Sequence, residues 1–276
     1  MTSSAPVVVI PFYQTKLSKS ELFSVAHNTK LLKKFRIVAV CPQAIKNSLQ
    51  QILLDICPNI EFESFDEAYF GSIAGYNRLL KSTEFYRRFS HHEYLLLVQT
   101  DALVLTDELE KWCATQYSYI GAPWFEGFTQ PTKPLRLMGV GNGGFSLRRV
   151  QDFIDCLTDN CYLPNVLAKA PSGILDFSGY LRFIKHRYLF AWSKGVLQTR
   201  INEDVFWGLL IPRRYSKFKV APIEKAYEFA FDAEPRYLFE LNHHQLPFGC
   251  HAWQRYDEVF WIEQLKSLGY DISKLN

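Results

Sequence analysis

The sequence has no hydrophobic run that approaches the roughly 20 apolar residues needed to cross a membrane. Its first ten residues also lack the basic segment of a secretory signal peptide, and their apolar run is too short for one. Closely paired cysteines are missing as well, which argues against a structural zinc site. We therefore expect the cysteines to be free thiols in a reducing cytoplasm. They are Cys41, Cys57, Cys113, Cys156, Cys161 and Cys250.

A concentrated basic stripe is absent too, and the formal net charge is only +3. Because nucleic-acid-binding proteins normally carry such a stripe, a nucleic-acid partner is not expected. The densest basic segment, residues 30–36, alternates with apolar residues and indicates one solvated face of a helix. Contact with an anionic membrane surface or a diphosphate is the alternative interpretation of this segment.

What the sequence does contain is ample material for a hydrophobic core. Hydrophobic residues make up 48% and charged residues 21% of the chain, which excludes a mainly disordered protein. Aromatic residues contribute 16%. They serve packing first, but flat rings also suit sugar faces and nucleobases. Since no repeat or linker divides the 276 residues, we expect a single domain spanning residues 1–276.

Strand and helix patterns alternate through the first hundred residues. Residues 6–10 and 35–40 are short β-branched runs typical of buried strands, and residues 20–34 between them have helical spacing. Such a βαβ unit implies a parallel sheet. The pattern continues with helices at 46–56, 72–89 and 149–157 and strands at 60–65 and 94–98, whereas 121–144 are expected to form loops. The predicted fold is α/β, with residues 1–105 as a nucleotide-binding half and residues 106–276 as a substrate half of the same domain.

Ligands of open parallel sheets bind beyond the carboxyl ends of the strands. Three loops meet this condition: residues 11–14, 41–43 and 99–101. The first makes Pro11 and Tyr13 candidate ligand-binding residues. The third carries Gln99 and Asp101, and a carboxylate at this position can hold a divalent ion that neutralises a diphosphate. Alternatively, Asp101 caps the turn that follows.

A glycine-rich segment lies at residues 139–148. Gly139, Gly141 and Gly144 match the spacing of a dinucleotide-binding fingerprint, but that fingerprint requires a strand before it and a helix directly after it. Residues 131–136 make a poor strand, so the dinucleotide interpretation fails on context. The segment remains a loop whose glycines let the backbone approach a ligand closely, or a structural hairpin or bulge.

Two later segments carry polar groups. Glu203 and Asp204 are adjacent acids that precede an apolar helical run, where acids suit the first turn and cap the helix. His251 follows later, with His243 and His244 in the same region. A neutral imidazole suits Mn²⁺ better than Mg²⁺, although a lone histidine is more often structural.

An acidic strand end, a glycine-rich loop, an acidic pair and a late histidine follow one another in this sequence, and in this order they resemble the GT-A glycosyltransferases. In those enzymes an apolar strand runs into an Asp-x-Asp motif; here Gln99 replaces the first acid. Three segments are also similar to a bacterial family of presumed glycosyltransferases catalogued as a domain of unknown function. They are residues 119–124 (YIGAPW), 141–148 (GNGGFSLR) and 202–207 (NEDVFW). The resemblance extends from about residue 70 to residue 255. The acidic segment also resembles the fringe and β-1,3-galactosyltransferase group.

The resemblance implies a GT-A-like, mixed but mainly parallel sheet flanked by helices, and it implies roles for individual residues. Asp204 would be the base that deprotonates the acceptor, and Glu203 would orient the acceptor or the residues next to it. The metal, Mn²⁺ or Mg²⁺, would be held by Asp101 and His251. The implied donor-binding residues are Pro11, Tyr13, Arg78, Gln99, Asp101, Gly143 and Gly144, and the acceptor-binding residues are Trp124 and Asn142. Alternatively, Arg78 forms a surface salt bridge and Trp124 belongs to the core.

The expected activity is transfer of a sugar from a nucleotide-sugar donor to a carbohydrate or lipid-linked glycan, metal-assisted and with inversion, in bacterial polysaccharide biosynthesis. Such an enzyme would be cytoplasmic or peripheral to the inner membrane. A non-catalytic carbohydrate- or nucleotide-binding module is the first alternative, favoured by Gln99 in place of an acid. A sugar nucleotidyltransferase is the second, although residues 11–16 are a poor match to a triphosphate-binding loop.

Overall fold

The computed structural model describes residues 5–158, 201–213 and 215–272. Its strands are β1 Val7–Pro11, β2 Arg36–Pro42, β3 Glu61–Phe65, β4 Tyr94–Val98, β5 Leu103–Val104, β6 Tyr119–Gly121, β7 Pro123–Phe125, β8 Leu137–Val140, β9 Phe145–Arg149, β10 Ala230–Phe231 and β11 Gly249–Cys250. Its helices are α1 Lys19–Leu31, α2 Lys46–Leu53, α3 Ile73–Leu79, α4 Thr83–Arg88, α5 Leu109–Cys113, α6 Val150–Thr158, α7 Glu203–Val205, α8 Ile223–Phe229, α9 Pro235–Leu241 and α10 Glu258–Ser267. A π-helical turn, Phe206–Leu210, continues α7.

A mixed sheet with the strand order β3-β2-β1-β4-β9-β6 forms the centre of the described part of the chain. The first four of these strands are parallel, as the sequence predicts, whereas β9 runs antiparallel to both β4 and β6. Every residue of β1 and β4 is buried, which is typical of strands covered by helices on both faces. The α/β fold class with a mainly parallel sheet is therefore confirmed.

Alternating residues of the central strands enter two separate hydrophobic clusters. Val8 and Leu96 belong to one cluster, while Val9 and Leu97, their neighbours in sequence, belong to the other. Successive side chains of a strand point to opposite faces, so each cluster lies on one face of the sheet. The first cluster also contains Phe248 from the end of the chain, so its core draws on both halves of the sequence.

The antiparallel strand β9 positions the glycine-rich loop. Val98 at the end of β4 pairs with Phe145 at the start of β9. The backbone amide of Gln99 consequently donates a hydrogen bond of 2.8 Å to the Gly144 carbonyl. The polar triplet after β4 and the glycines before β9, which are distant in sequence, therefore lie side by side.

Two local predictions were wrong. Residues 72–89 form α3 and α4 instead of one helix, because the Ser82 hydroxyl caps a new helix by accepting a hydrogen bond from the Phe85 amide at 3.2 Å. Residues 121–144 contain the antiparallel pair β7 and β8 instead of loops alone, with Pro123 opposite Val140. Pairing with a distant partner, which no local pattern reveals, turns this stretch into strands.

A small sheet of β10, β11 and β5 completes the described framework. Strand β10 is parallel to β11, and β11 is antiparallel to β5. None of the helices in the described ranges is both long and apolar enough to span a membrane. Within the same ranges, the cysteines at positions 41, 57, 113, 156 and 250 are free thiols, while Cys161 lies outside them.

Candidate functional site

A cavity of about 640 Å³ opens at the carboxyl ends of β1 and β4, a volume within the usual range for small-molecule sites. It contains four of the predicted donor-binding residues: Pro11, Tyr13, Gln99 and Asp101. Its lining is completed by Ser18, Glu21, Phe70, Gly71, Ser72, Ile73, Tyr76, Thr100 and Gln254. The structure thus brings together the first and third of the three predicted loops.

The charge of this lining is negative. Glu21 and Asp101 contribute carboxylates, while no lysine or arginine is among the described residues that line the cavity. The Glu21 carboxylate accepts a hydrogen bond from the Thr100 hydroxyl at 2.8 Å, which ties α1 to the polar triplet. A ligand carrying a diphosphate would therefore need positive charge from another source at this end of the sheet.

Four polar side chains form a cluster beside the cavity, which we call the His251 cluster: Gln99, Asp101, Asp232 and His251. The Nε2 atom of His251 lies 3.0 Å from Oε1 of Gln99 and 3.4 Å from Oδ1 of Asp101. Its Nδ1 atom lies 3.2 Å from Oδ1 of Asp232. The predicted metal ligands Asp101 and His251, which are 150 residues apart in sequence, are thus neighbours.

Electrostatics hold the His251 cluster together. Burial alone would lower the pKa of His251, but Asp101 and Asp232 outweigh it and raise that pKa to about 10. In turn, His251 overcomes the effect of burial on Asp101 and lowers the pKa of that carboxyl. Asp101 and Asp232 thus favour the charged form of the imidazole that lies between them.

The donor atoms of the His251 cluster also fit a divalent metal. Asp101 offers a carboxylate oxygen, Gln99 an amide oxygen and His251 an imidazole nitrogen, a set that suits Mn²⁺. No three His, Cys, Asp or Glu side chains of the described ranges are arranged to hold a metal ion, so the amide oxygen of Gln99 is needed as a third ligand. The hydroxyl of Tyr76 accepts a hydrogen bond from Nε2 of Gln99 at 3.4 Å, which leaves Oε1 facing His251.

The acidic pair lies on the other side of the glycine-rich loop. Glu203 is only 4% exposed, and its Oε1 forms an ion pair of 3.0 Å with Arg148, which is completely buried. Arg148 also donates to the hydroxyls of Tyr86 at 2.9 Å and Ser146 at 3.0 Å. Burial raises the pKa of Glu203, and the guanidinium of Arg148 counteracts that effect. Glu203 is therefore anchored inside the protein.

Asp204 differs from its neighbour because its side chain is only partly buried. Burial raises its pKa, while hydrogen bonds from the backbone amides of Val205 and Gly143 partly offset that change. Oε2 of Glu203 is shielded from solvent and has no hydrogen-bond partner among the described residues. Of the two acids, Asp204 is thus the more exposed, and neither acid lines the cavity.

The glycine-rich loop separates the His251 cluster from the acidic pair by a single backbone step. A Cβ atom at Gly143 would lie 1.7 Å from Oε1 of Glu203, and one at Gly144 would lie 2.1 Å from Nε2 of His251. Asn142 adopts a positive φ of 61°, and its side-chain oxygen accepts a hydrogen bond of 3.1 Å from the Gly144 amide. Only glycine allows both functional groups to touch the backbone here.

Helix α3 and the turn after it contact both the His251 cluster and the segment that carries the acidic pair. Tyr76 contacts Gln99, and the adjacent Asn77 accepts a hydrogen bond of 2.5 Å from the backbone amide of Glu203. Lys81 donates to the carbonyl of Ile201, just before the acidic pair. Neither Asn77, on α3, nor Lys81, in the turn after it, was predicted from the sequence, because their partners lie more than 100 residues away along the chain.

Other predicted residues lie elsewhere. Arg78 is exposed and donates to the Ala68 carbonyl at 3.1 Å, outside the cavity lining. Trp124 is 6% exposed and packs against Gly141, where an added Cβ would lie 2.3 Å from its ring. The ring of His244 stacks on Phe239, and His244 takes no part in the His251 cluster. The acceptor roles of Trp124 and Asn142 stay predictions.

The chain matches one protein family and several solved structures. The family described as "Protein of unknown function (DUF5672)" matches residues 59–251. No curated protein matches the chain at a significant level. The chain is similar to the solved structure of an active-site mutant of LgtC, with a TM-score of 0.50 and 13% identity over 89% of this chain and 86% of that one. The structure of the galactosyltransferase LgtC in complex with donor and acceptor sugar analogs matches with a TM-score of 0.49 and 11% identity over the same shares.

A further match is the apo form of mouse xyloside xylosyltransferase 1, with a TM-score of 0.48 and 8% identity over 91% of this chain and 97% of that one. At such identities the likeness concerns the fold. The match to the LgtC mutant shows that the two chains have similar folds.

Proposed function

This chain belongs to the DUF5672 family, and we propose that it is a glycosyltransferase that moves a sugar from a nucleotide-sugar donor to a carbohydrate or lipid-linked glycan acceptor. One observation carries the proposal. The cavity at the carboxyl ends of β1 and β4 meets the His251 cluster, and one backbone step, from Gly144 to Gly143, separates that cluster from the acidic pair. Groups that can stabilise a leaving group therefore lie on one side of the glycine-rich loop, and a group that can accept a proton lies on the other side.

The cavity is the proposed donor site. Tyr13 is 60% exposed at its rim and offers a ring face to a nucleobase. Asp101, His251 and Oε1 of Gln99 would hold Mn²⁺, which supplies the positive charge that a departing nucleoside diphosphate requires. That charge matters because the described lining of the cavity contains no basic side chain.

The acidic pair is the proposed proton-accepting site. Asp204 takes the proton from the acceptor hydroxyl while the oxygen of that hydroxyl attacks the anomeric carbon. The bond between this carbon and the phosphate oxygen breaks, and the nucleoside diphosphate leaves with the electron pair. A single displacement of this kind inverts the configuration. Its raised pKa makes it a stronger base than an ordinary aspartate. Glu203 acts indirectly: paired with Arg148, it fixes the start of α7 beneath Gly143.

Thermal-shift measurements with UDP-, GDP-, CMP- and dTDP-sugars, with and without Mn²⁺, test the donor site. A ligand that binds the native protein raises Tm by mass action, equivalent to about 2.7 kcal/mol at 100 times its Kd. We expect one nucleotide class to raise Tm, with a larger rise in the presence of Mn²⁺. The Mn²⁺-dependent part should disappear in Asp101→Ala.

The matched control is Asp55→Ala, which removes an exposed carboxylate outside the cavity. It should behave like the wild-type protein. If a nucleotide sugar raises Tm equally with and without Mn²⁺, the proposed transferase activity stands but the metal has no part in its mechanism. Failure of every nucleotide to change Tm would contradict the donor site itself.

A further inference from the structure

We propose that Asp232 is a positioning residue of the metal site: it fixes the imidazole of His251 so that Nε2 is presented to the metal beside Gln99 and Asp101. No sequence pattern points to Asp232, and the proposed function does not need it. The inference rests on the proposed use of a divalent metal at the donor site. It concerns how this chain prepares that site.

The backbone places Asp232 behind His251. Strands β10 and β11 are parallel neighbours, with Phe231 opposite Cys250. Asp232 and His251 directly follow the last residues of β10 and β11, so both lie at the same end of this small sheet. The backbone amide of His251 donates to the Phe231 carbonyl at 3.0 Å, which fixes the two chains at that point.

The side-chain contact follows from this register. Oδ1 of Asp232 lies 3.2 Å from Nδ1 of His251, and the Asp232 side chain is only 9% exposed. A carboxylate that is buried to this extent is costly unless it is paired. The positive φ of 47° at Ala252, a strained value for a residue with a side chain, also marks the backbone next to His251 as tightly determined.

The chemical consequence concerns the two ring nitrogens. A carboxylate bound to one nitrogen of a metal-ligating imidazole fixes the ring orientation and makes the other nitrogen a better ligand. Here Asp232 occupies Nδ1, and Nε2 lies 3.0 Å from Oε1 of Gln99 and 3.4 Å from Oδ1 of Asp101. The three candidate metal-binding atoms therefore converge only while the ring keeps this orientation.

Mn²⁺ titrations followed by the electron paramagnetic resonance signal of the free ion test the proposal. They are run with Mn²⁺ alone and with UDP, GDP, CMP or dTDP added. We expect Asp232→Ala to bind Mn²⁺ about 10- to 100-fold more weakly than the wild-type protein. Asp232→Asn, which retains an oxygen that can accept from Nδ1, should lie between the two.

Glu240→Ala is the matched control, because it removes an exposed carboxylate from the neighbouring helix α9. It should bind Mn²⁺ like the wild-type protein. The Tm of each variant is measured without metal, so that a loss of Mn²⁺ affinity at unchanged Tm separates positioning from folding. Should Asp232→Ala prove unstable, Asp232→Asn carries the same comparison.

The outcomes separate the two proposals. Equal Mn²⁺ affinity of the wild-type protein and both Asp232 variants overturns the positioning role and leaves the donor site intact. A wild-type protein that binds a nucleotide but no Mn²⁺ overturns the metal site together with the role of Asp232. Weaker Mn²⁺ binding in the Asp232 variants, with nucleotide binding in the absence of metal unchanged, supports the inference.

Discussion

At the residue scale, two adjacent acids have different partners. Burial raises the pKa of both carboxyls. Glu203 is paired with the buried Arg148 at 3.0 Å, whereas Asp204 is partly accessible and accepts hydrogen bonds from backbone amides. We propose on this ground that Asp204 is the reacting acid and Glu203 the supporting one.

The contrast predicts opposite effects on stability. Glu203→Gln leaves the buried guanidinium of Arg148 without a counter-charge, and breaking a buried pair in this way costs about 3–5 kcal/mol. Asp204→Asn retains an oxygen for the Val205 amide while removing a desolvated charge. Thermal denaturation at pH 7.5 should therefore show a clearly lower Tm for Glu203→Gln and an equal or higher Tm for Asp204→Asn.

The pH dependence provides a second check on Asp204. Because its pKa is raised in the folded state, the unprotonated carboxylate weakens folding at neutral pH, and this effect vanishes as the pH falls through the raised pKa. Any stability advantage of Asp204→Asn should consequently shrink as the pH falls from 7.5 toward the ordinary pKa of an aspartate, about 3.9. An advantage that grows toward acid would show that the pKa of Asp204 is lowered instead.

Individual residues were predictable only where a motif named them. Asp101 and His251 were expected together because of a family resemblance, and the structure places them 3.4 Å apart. Asp232 had no such signal, and Arg148, which ends the segment GNGGFSLR, was given no role. Their partners lie 19 and 55 residues away along the chain, and a contact at such a distance depends on strand register that no local pattern encodes.

At the element scale, the glycine-rich loop is the part on which both sets of functional groups depend. Gly144→Ala would place a methyl group 2.1 Å from Nε2 of His251 and 2.7 Å from Oε1 of Gln99. We expect this variant to lose Mn²⁺-dependent nucleotide binding while it remains folded, because one imidazole can shift. Isothermal titration calorimetry with Mn²⁺ and a nucleotide measures the loss.

Gly143→Ala meets a different obstacle, the buried carboxylate of Glu203 at 1.7 Å. Overpacking of this kind typically costs about 1–3 kcal/mol, so its main effect should be a lower Tm. Gly71→Ala is the control for the Tm of both variants in the absence of nucleotide, because an added methyl there has nothing within 4 Å. A Gly144→Ala protein with unchanged Mn²⁺-dependent binding would contradict the assigned position of the loop.

Regular elements of the first half were predicted well because each of them carries a local pattern. The β-branched and apolar runs of β1, β2 and β4 and the helical spacing of α1 all correspond to observed elements. The β7–β8 pair was missed, since its short strands are interrupted in register between Trp124 and Phe125 and depend on each other for their conformation. Residues 159–200 lie outside the described part of the chain.

At the scale of the whole molecule, we propose that the chain is one domain whose halves share a core. A single hydrophobic cluster contains Val8 and Leu96 from the first half and Phe145, Phe229 and Phe248 from the second. Removing either half would expose the apolar surface of the other. We therefore propose that the boundary near residue 105 separates two functional halves and not two folding units.

This proposal predicts one cooperative unfolding transition. All six tryptophans follow residue 106, so tryptophan fluorescence reports on the second half, whereas far-UV circular dichroism reports on the entire chain. Urea denaturation followed by the two signals should give coincident curves. Two separated midpoints would show instead that the halves unfold independently.

The central claim, that the protein turns over a nucleotide sugar, is tested most directly by release of the nucleoside diphosphate. The nucleotide sugar that raises Tm most is incubated with Mn²⁺ and a mixture of simple glycan acceptors, using the wild-type protein and Asp204→Asn. We predict acceptor-dependent release by the wild-type protein and at least a 100-fold slower release by Asp204→Asn, in line with the usual contribution of about 10²–10⁴ from a general base, with an unchanged Kd for the donor. Two results would contradict the account, provided that the donor binds equally well to both proteins. Equal release by both proteins would show that Asp204 is not the base. No release by either protein would favour a binding module that retains the fold without the reaction.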